Sequence, residues 1–203
     1  GAADFATSPA VDPGGDVGRA LCLAVDPDLL VTVNAMTAGY VVADAPDGLG
    51  AAAHPGAGQA AAVAWLDRLR ALAKRMCVVA TPYAQADLGA LQRVGDRRLS
   101  TAATTTTADI VDQILGIASV RGTTVLGDGP LTPLAVELLD GQGQTVAIAA
   151  AGGSAQDSAT GEPVTADVAE RRLTPQVVMA PFDPAVGAAL AAVALLSGHL
   201  LLL

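Results

Sequence analysis

Asp26, Asp28, Asp128 and Asp183 stand where predicted strands end, and Asp87 lies one helical turn beyond another strand end. Carboxylates converging on such a rim would suit a cation or acid and base work on a sugar, with Asp26 and Asp183 as the catalytic candidates. A simpler assignment is favoured. Asp26 and Asp183 each precede a proline at a helix start and read as N-caps, and Asp128 reads as a turn residue in Gly127-Asp128-Gly129. Two aromatics fall on the same rim, Tyr83 after Pro82 and Phe182 after Pro181, in a chain that is only 2% aromatic. They read as a ligand platform for an apolar sugar face or as plugs sealing the strand-to-helix corner. Tyr83, Asp87, Asp128 and Phe182 are thus the expected ligand-contacting residues.

A duplicated segment must position them. Val78-Val79-Ala80-Thr81-Pro82-Tyr83 leads to Leu91, and Val177-Val178-Met179-Ala180-Pro181-Phe182 leads to Leu190; both read as buried strand, Pro-aromatic corner, then helix. Repeated strand-to-helix units build parallel α/β folds, whose ligands meet the loops after the carboxyl ends of the strands. Strands are expected over Cys22–Val25, Met76–Thr81, Thr123–Leu126, Thr145–Ala149 and Gln176–Met179, parallel and buried. Helices are expected over Leu29–Ala38, over Gln59–Arg75 with Val63, Leu66, Leu69 and Leu72 on its apolar face and Trp65 in the core, after the run Thr104–Thr107, and over Thr132–Leu139. A short one is expected over Val168–Leu173.

Residues 1–20 read as an extended lead-in and 21–203 as one α/β domain with long loops near 41–58, a candidate lid, and 151–167. Four or five units fall short of the about 250 residues of an eightfold barrel. The expected fold is therefore parallel-stranded and incomplete TIM-barrel-like, or an open doubly wound sheet.

Composition removes several functions. Eleven basic against 20 acidic residues, a net charge of −9, would repel a phosphate backbone, so nucleic acid is not an expected partner. No P-loop lysine follows the glycine clusters and no third glycine completes a dinucleotide fingerprint, so no nucleotide is expected and a phosphate-binding enzyme ranks last. His54 and His199 lack metal-ligand spacing, and Ser154 and Ser197 lack the nucleophile elbow. Neither a metal nor a cofactor is expected. Cys22 and Cys77 are expected as buried free thiols; a disulfide is the alternative, because both sit at the same height in their units. No signal-peptide pattern opens the sequence. Ala185–Leu203 carries no charged side chain and is expected as a core-facing helix ahead of a membrane span.

The stretches Leu23-Ala24-Val25-Asp26-Pro27-Asp28-Leu29-Leu30, Ala64-Trp65-Leu66-Asp67-Arg68-Leu69, Pro82-Tyr83-Ala84-Gln85-Ala86-Asp87-Leu88 and Ala180-Pro181-Phe182-Asp183-Pro184-Ala185 together resemble an uncharacterised actinobacterial envelope protein family whose genes lie beside that of the lipid II flippase. The resemblance covers nearly the whole chain. It implies the central α/β region of an exported, membrane-anchored, extracytoplasmic protein, distantly similar to glycoside hydrolase and polysaccharide deacetylase barrels. Asp26 would then stand where deacetylases place a strand-end metal aspartate, but the His-x-x-x-His that completes their site is absent. The expected role is a non-catalytic module in cell-wall assembly, with an envelope glycan such as peptidoglycan or a cell-wall assembly membrane protein as partner. The alternative is a carbohydrate-active hydrolase using strand-end carboxylates.

Overall fold

The computed structural model describes residues 15, 19, 21–44, 52–151, 168–183 and 185, and for 128–130 the backbone alone. The lead-in at 1–14, the loop at 152–167 with Ser154, and the expected helix at 186–203 with Ser197 and His199 lie outside the described residues.

Strand β1 (Cys22–Val25) ends at Asp26, whose extended backbone and carboxylate start α1 (Pro27–Thr37). Asp26 Oδ1 accepts the Asp28 N–H at 2.9 Å, and Pro27 fills a first-turn position that has no need of a donor. Gly39, at φ +90°, turns the chain out of the helix. The stretch expected as a long loop then forms an antiparallel pair, β2 (Val41–Ala43) with β3 (Ala53–Pro55). Tyr40 fixes its base. The phenol oxygen accepts the Gly58 N–H at 3.1 Å, and the ring lies so close to Gly56 that a Cβ there would fall 2.1 Å from it.

Helix α2 (Gln59–Ala73) buries Ala62, Leu66, Leu72 and Ala73, with Trp65 and Leu69 partly buried against the same cluster. Val63, expected on that face, is 41% exposed. Leu66, Leu69 and Leu72 lie on the packed face as expected, and at the first turn the neighbouring Ala62 takes the buried position in place of Val63.

β4 (Cys77–Ala80) lies parallel to β1, in the register Cys22↔Cys77 through Val25↔Ala80. Facing positions bring the two cysteines to a Cα separation of 4.4 Å, and they form a disulfide. The expected free thiols are therefore corrected. So is the burial of β1: it pairs only with β4 among the described strands, and Cys22 and Ala24 are exposed.

A short 3-10 turn (Tyr83–Gln85) leads to α3 (Leu88–Val94), α4 (Arg97–Thr104) and α5 (Thr107–Leu115). Asp96 makes a helix of the polar stretch by accepting the Arg98 and Leu99 N–H groups. The threonine run joins α4 to α5; Thr106 makes no side-chain cap bond and donates to the Ala102 carbonyl. Then follow β5 (Thr123–Pro130), α6 (Pro133–Asp140) capped by Thr132, β6 (Thr145–Ala150), β7 (Arg171–Arg172) and β8 (Val177–Phe182). β7 occupies part of the expected helix at 168–173. The Leu173 N–H bonds to the Val177 carbonyl and Thr174 Oγ1 accepts from the Gln176 and Val177 N–H groups, which folds the chain back antiparallel on β8.

β5, β6 and β8 are parallel neighbours in a four-stranded sheet of order β5-β6-β8-β7, distinct from the parallel pair β1-β4. The sheets are small and none closes into a barrel. A single parallel bridge, Val79↔Val120, and the 2.8 Å bond from the Val120 N–H to the Val78 carbonyl join their edges. Each sheet has its own core. Val25, Leu30, Leu66, Val78 and Val111 centre one, and Leu88, Leu138, Leu139, Ala147 and Val177 the other. No helix among the described residues is long and apolar enough to cross a membrane.

Beneath the junction, Asp112 on α5 accepts the Ser119 N–H at 2.7 Å and pairs with Arg121, which also reaches Asp109 at 2.8 Å. Burial raises the Asp112 carboxyl, but the Ser119 hydrogen bonds and the Arg121 cation outweigh it and hold the group below its ordinary value. A depressed carboxyl stabilises the fold above the unfolded value, near pH 4, and that contribution is lost as pH falls through the folded value. Asp112→Ala, which strands the Ser119 N–H, is expected to cost about 1–3 kcal/mol in urea unfolding at pH 7. The loss should shrink as the pH is lowered from 5 to 3; a constant difference would remove Asp112 ionisation as its source.

Candidate functional site

The carboxyl ends of β1 and β4 form one rim. Asp26 Oδ1 accepts a second hydrogen bond, at 3.1 Å, from the Ala84 N–H of the next strand-to-helix loop. One carboxylate oxygen therefore caps α1 and ties the two loops together. Thr81 N–H continues the tie to the Val25 carbonyl at 3.0 Å. Held this way, Ala84 (φ 49°) and Gln85 (φ 50°) both adopt the left-handed conformation, which a Cβ disfavours by roughly 1–2 kcal/mol per residue. The sequence gives no signal for this turn, since no glycine or asparagine stands in it. Gln85 reaches across to β5, where a Cβ on Gly127 would meet its Oε1 at 3.5 Å.

Tyr83, half-buried, directs its phenol to Asp28 on the first turn of α1. That hydrogen bond, reinforced by burial and by the negative charges of Asp28 and Asp26, raises the phenol above its ordinary value. The shift is the wrong way for a nucleophile or general base, because it keeps the phenol protonated at neutral pH. What remains is a ring face beside a donor–acceptor pair, suited to a hydroxylated ligand.

The other expected site residues are not brought to this cluster. Asp87 precedes α3 instead of lying within a helix, and its Oδ1 accepts the Ala90 N–H at 3.0 Å. Asp183, after β8, accepts the Ala185 N–H at 2.8 Å. Asp128 belongs to β5, which extends to Pro130 across an irregularity between Val125 and Pro130, instead of to the expected loop. Phe182 differs from Tyr83 despite the repeat: it stays in β8, paired with Ala150, and its carbonyl accepts the Ala151 N–H at 2.8 Å. β6 continues alongside it, whereas β4 ends before Tyr83 and has only the bridge at Val120 on its other side. Neighbouring strands therefore decide which Pro-aromatic corner leaves the sheet.

Among the described residues, no three His, Cys, Asp or Glu side chains group to hold a metal. Two clefts open at the amino ends of β5, β6 and β8, and Ala80 at the end of β4 also lines the first. One is lined by Thr107, Thr123, Thr145, Arg121 and Gln142, the other by Gln144, Arg172 and Gln176. Gln142 buries its Nε2 without a protein partner in the first cleft. No family model matches this chain, and no curated protein or solved structure matches it either.

Two outcomes are expected. With Tyr40 replaced by Phe, the tyrosinate absorbance reports Tyr83 alone, and Asp28→Asn should lower its midpoint towards that of a free phenol. The sign for stability follows: the neutral phenol favours the fold below the unfolded value near pH 10, and this is lost as pH rises through the raised folded value. Ala84→Gly removes the Cβ from a left-handed position and should raise stability by up to ~1 kcal/mol; a loss on that scale would show that the turn is unstrained.

Proposed function

We propose that this chain is an extracytoplasmic module of a cell-envelope protein that binds an envelope glycan at the β1–β4 rim without cleaving it. One observation carries the reading: of the strand-end carboxylates, Asp26 and Asp87 each hold an N–H of the helix that follows and Asp183 holds the Ala185 N–H, the work of a cap and not of an acid–base pair, while Asp28 is turned to Tyr83. A protonated Tyr83 beside Asp28 supports it, because the phenol and the carboxylate meet sugar hydroxyls while the ring meets an apolar sugar face. The Cys22–Cys77 bond supports the location, since such bonds persist in oxidising compartments outside the cytoplasm. The resemblance to the actinobacterial envelope family points the same way.

The barrel-like reading of the fold belongs here as well. Strand neighbours follow chain order from β1 to β4, across the Val79↔Val120 bridge to β5, then to β6 and β8, without the reversal that marks a doubly wound sheet. An incomplete barrel would have this order, which supports the barrel-like alternative over the open doubly wound sheet.

Titration with soluble peptidoglycan fragments, followed by calorimetry and by analysis of the fragments, tests the proposal. Binding without turnover is expected, weakened about tenfold or more by Tyr83→Ala, about 1.4 kcal/mol, and less by Tyr83→Phe, which keeps the ring. Fragment cleavage that Asp26→Asn abolishes would put the hydrolase in its place. Absence of glycan binding together with Tyr83-dependent capture of a cell-wall assembly membrane protein would make the rim a protein-docking surface.

A further inference from the structure

We infer that the Cys22–Cys77 disulfide is a redox control on the rim: its reduction releases β1 from β4 and with it the left-handed turn that presents Tyr83. The bond sits at the amino end of the strand pair, and the turn at its carboxyl end. Between them stand three register pairs, Leu23↔Val78 to Val25↔Ala80. β1 is weakly held otherwise. It is four residues long, pairs on one side only among the described strands, and buries Val25 and half-buries Leu23 but leaves Cys22 and Ala24 exposed. Immediately after it comes Asp26, whose Oδ1 fixes the Ala84 N–H. Two consecutive left-handed residues without glycine persist only while their surroundings impose them, and Asp26 supplies that constraint from β1. If β1 shifts or frays, Asp26 moves with it, Ala84 and Gln85 relax, and Tyr83 leaves Asp28.

Access favours the chemistry, since Cys22 is exposed and Cys77 half-buried. A thiolate of a dithiol reductant attacks Cys22 Sγ, and the Cys77 thiolate leaves and takes up a proton. The second thiol of the reductant then attacks its own sulfur in the mixed disulfide and releases Cys22 as a thiol. Two electrons pass to the protein, and the reductant leaves as a disulfide. The reductant class implied is a thioredoxin-like dithiol protein outside the cytoplasm, and dithiothreitol serves as the probe.

The inference concerns the geometry of the rim and rests on the glycan reading only for its consequence, so its test does not need a glycan. Amide signals and hydrogen exchange are followed in the native protein before and after dithiothreitol, with thiols counted. Reduction should yield two thiols, displace the Ala84 and Gln85 signals, speed Ala84 exchange about tenfold, and leave the β6 and β8 amides unchanged. The double variant Cys22→Ser, Cys77→Ser should match the reduced state with or without reductant. Asp26→Ala in the oxidised protein should displace the same two signals. Three results would each overturn the inference: a bond that dithiothreitol does not reduce without global unfolding, unaltered Ala84 and Gln85 signals after reduction, or loss of the β6 and β8 amides along with them. The last would make the bond a staple for the whole fold.

Discussion

The register between β1 and β4 is the constraint from which the rest of the rim follows. Facing cysteines can close a bond only when the two strands are aligned to the residue, and that alignment carries Asp26 to the Ala84 N–H and Thr81 to the Val25 carbonyl. A slip of one position would send Val25 and Val78 away from the core they centre and leave Ala84 without the acceptor that holds its left-handed conformation. Covalent, hydrophobic and polar terms therefore agree on one arrangement. That agreement is needed, because a four-residue edge strand has little ladder of its own to fix it.

Small side chains shape the remainder. With so few aromatics, both cores are filled by Ala, Val and Leu, and alanines such as Ala73, Ala103, Ala135 and Ala147 let helices lie close on the strands. The bridge Val79↔Val120 joins the two sheets, and each keeps its own hydrophobic cluster. Beneath that junction, Asp112 and Arg121 hold the loop that carries Ser119 and Val120 to β4.

The carboxylates are arranged for local structure before any ligand chemistry. Asp26, Asp87 and Asp96 each begin a helix by satisfying a backbone N–H that would otherwise be orphaned, and Asp183 holds the Ala185 N–H. Only Asp28 turns its carboxylate towards another rim side chain, Tyr83, among the described strand-end acids. Among the described residues, these carboxylates thus serve capping more than a concentrated charged site.

Local interactions explain what was legible. Asp26-Pro27 as a helix start, Thr132 as a cap, the positions of the five strands and the place of Trp65 are decided within a few residues by capping geometry and by runs of apolar side chains, so the sequence alone determined them. Partners distant along the chain decided the rest. The bond between Cys22 and Cys77, 55 residues apart, depends on strand register; the exposure of Ala24 and Val63 depends on what lies beside them; and β7 depends on β8. The repeat shows the division most plainly. Pro82-Tyr83 and Pro181-Phe182 carry the same local signal, yet a neighbouring strand keeps Phe182 in the sheet, while the hold of Asp26 on Ala84 turns Tyr83 out onto the rim. Local sequence fixes what a segment can adopt, and only hydrogen-bond partners brought by tertiary packing select which of those conformations it takes.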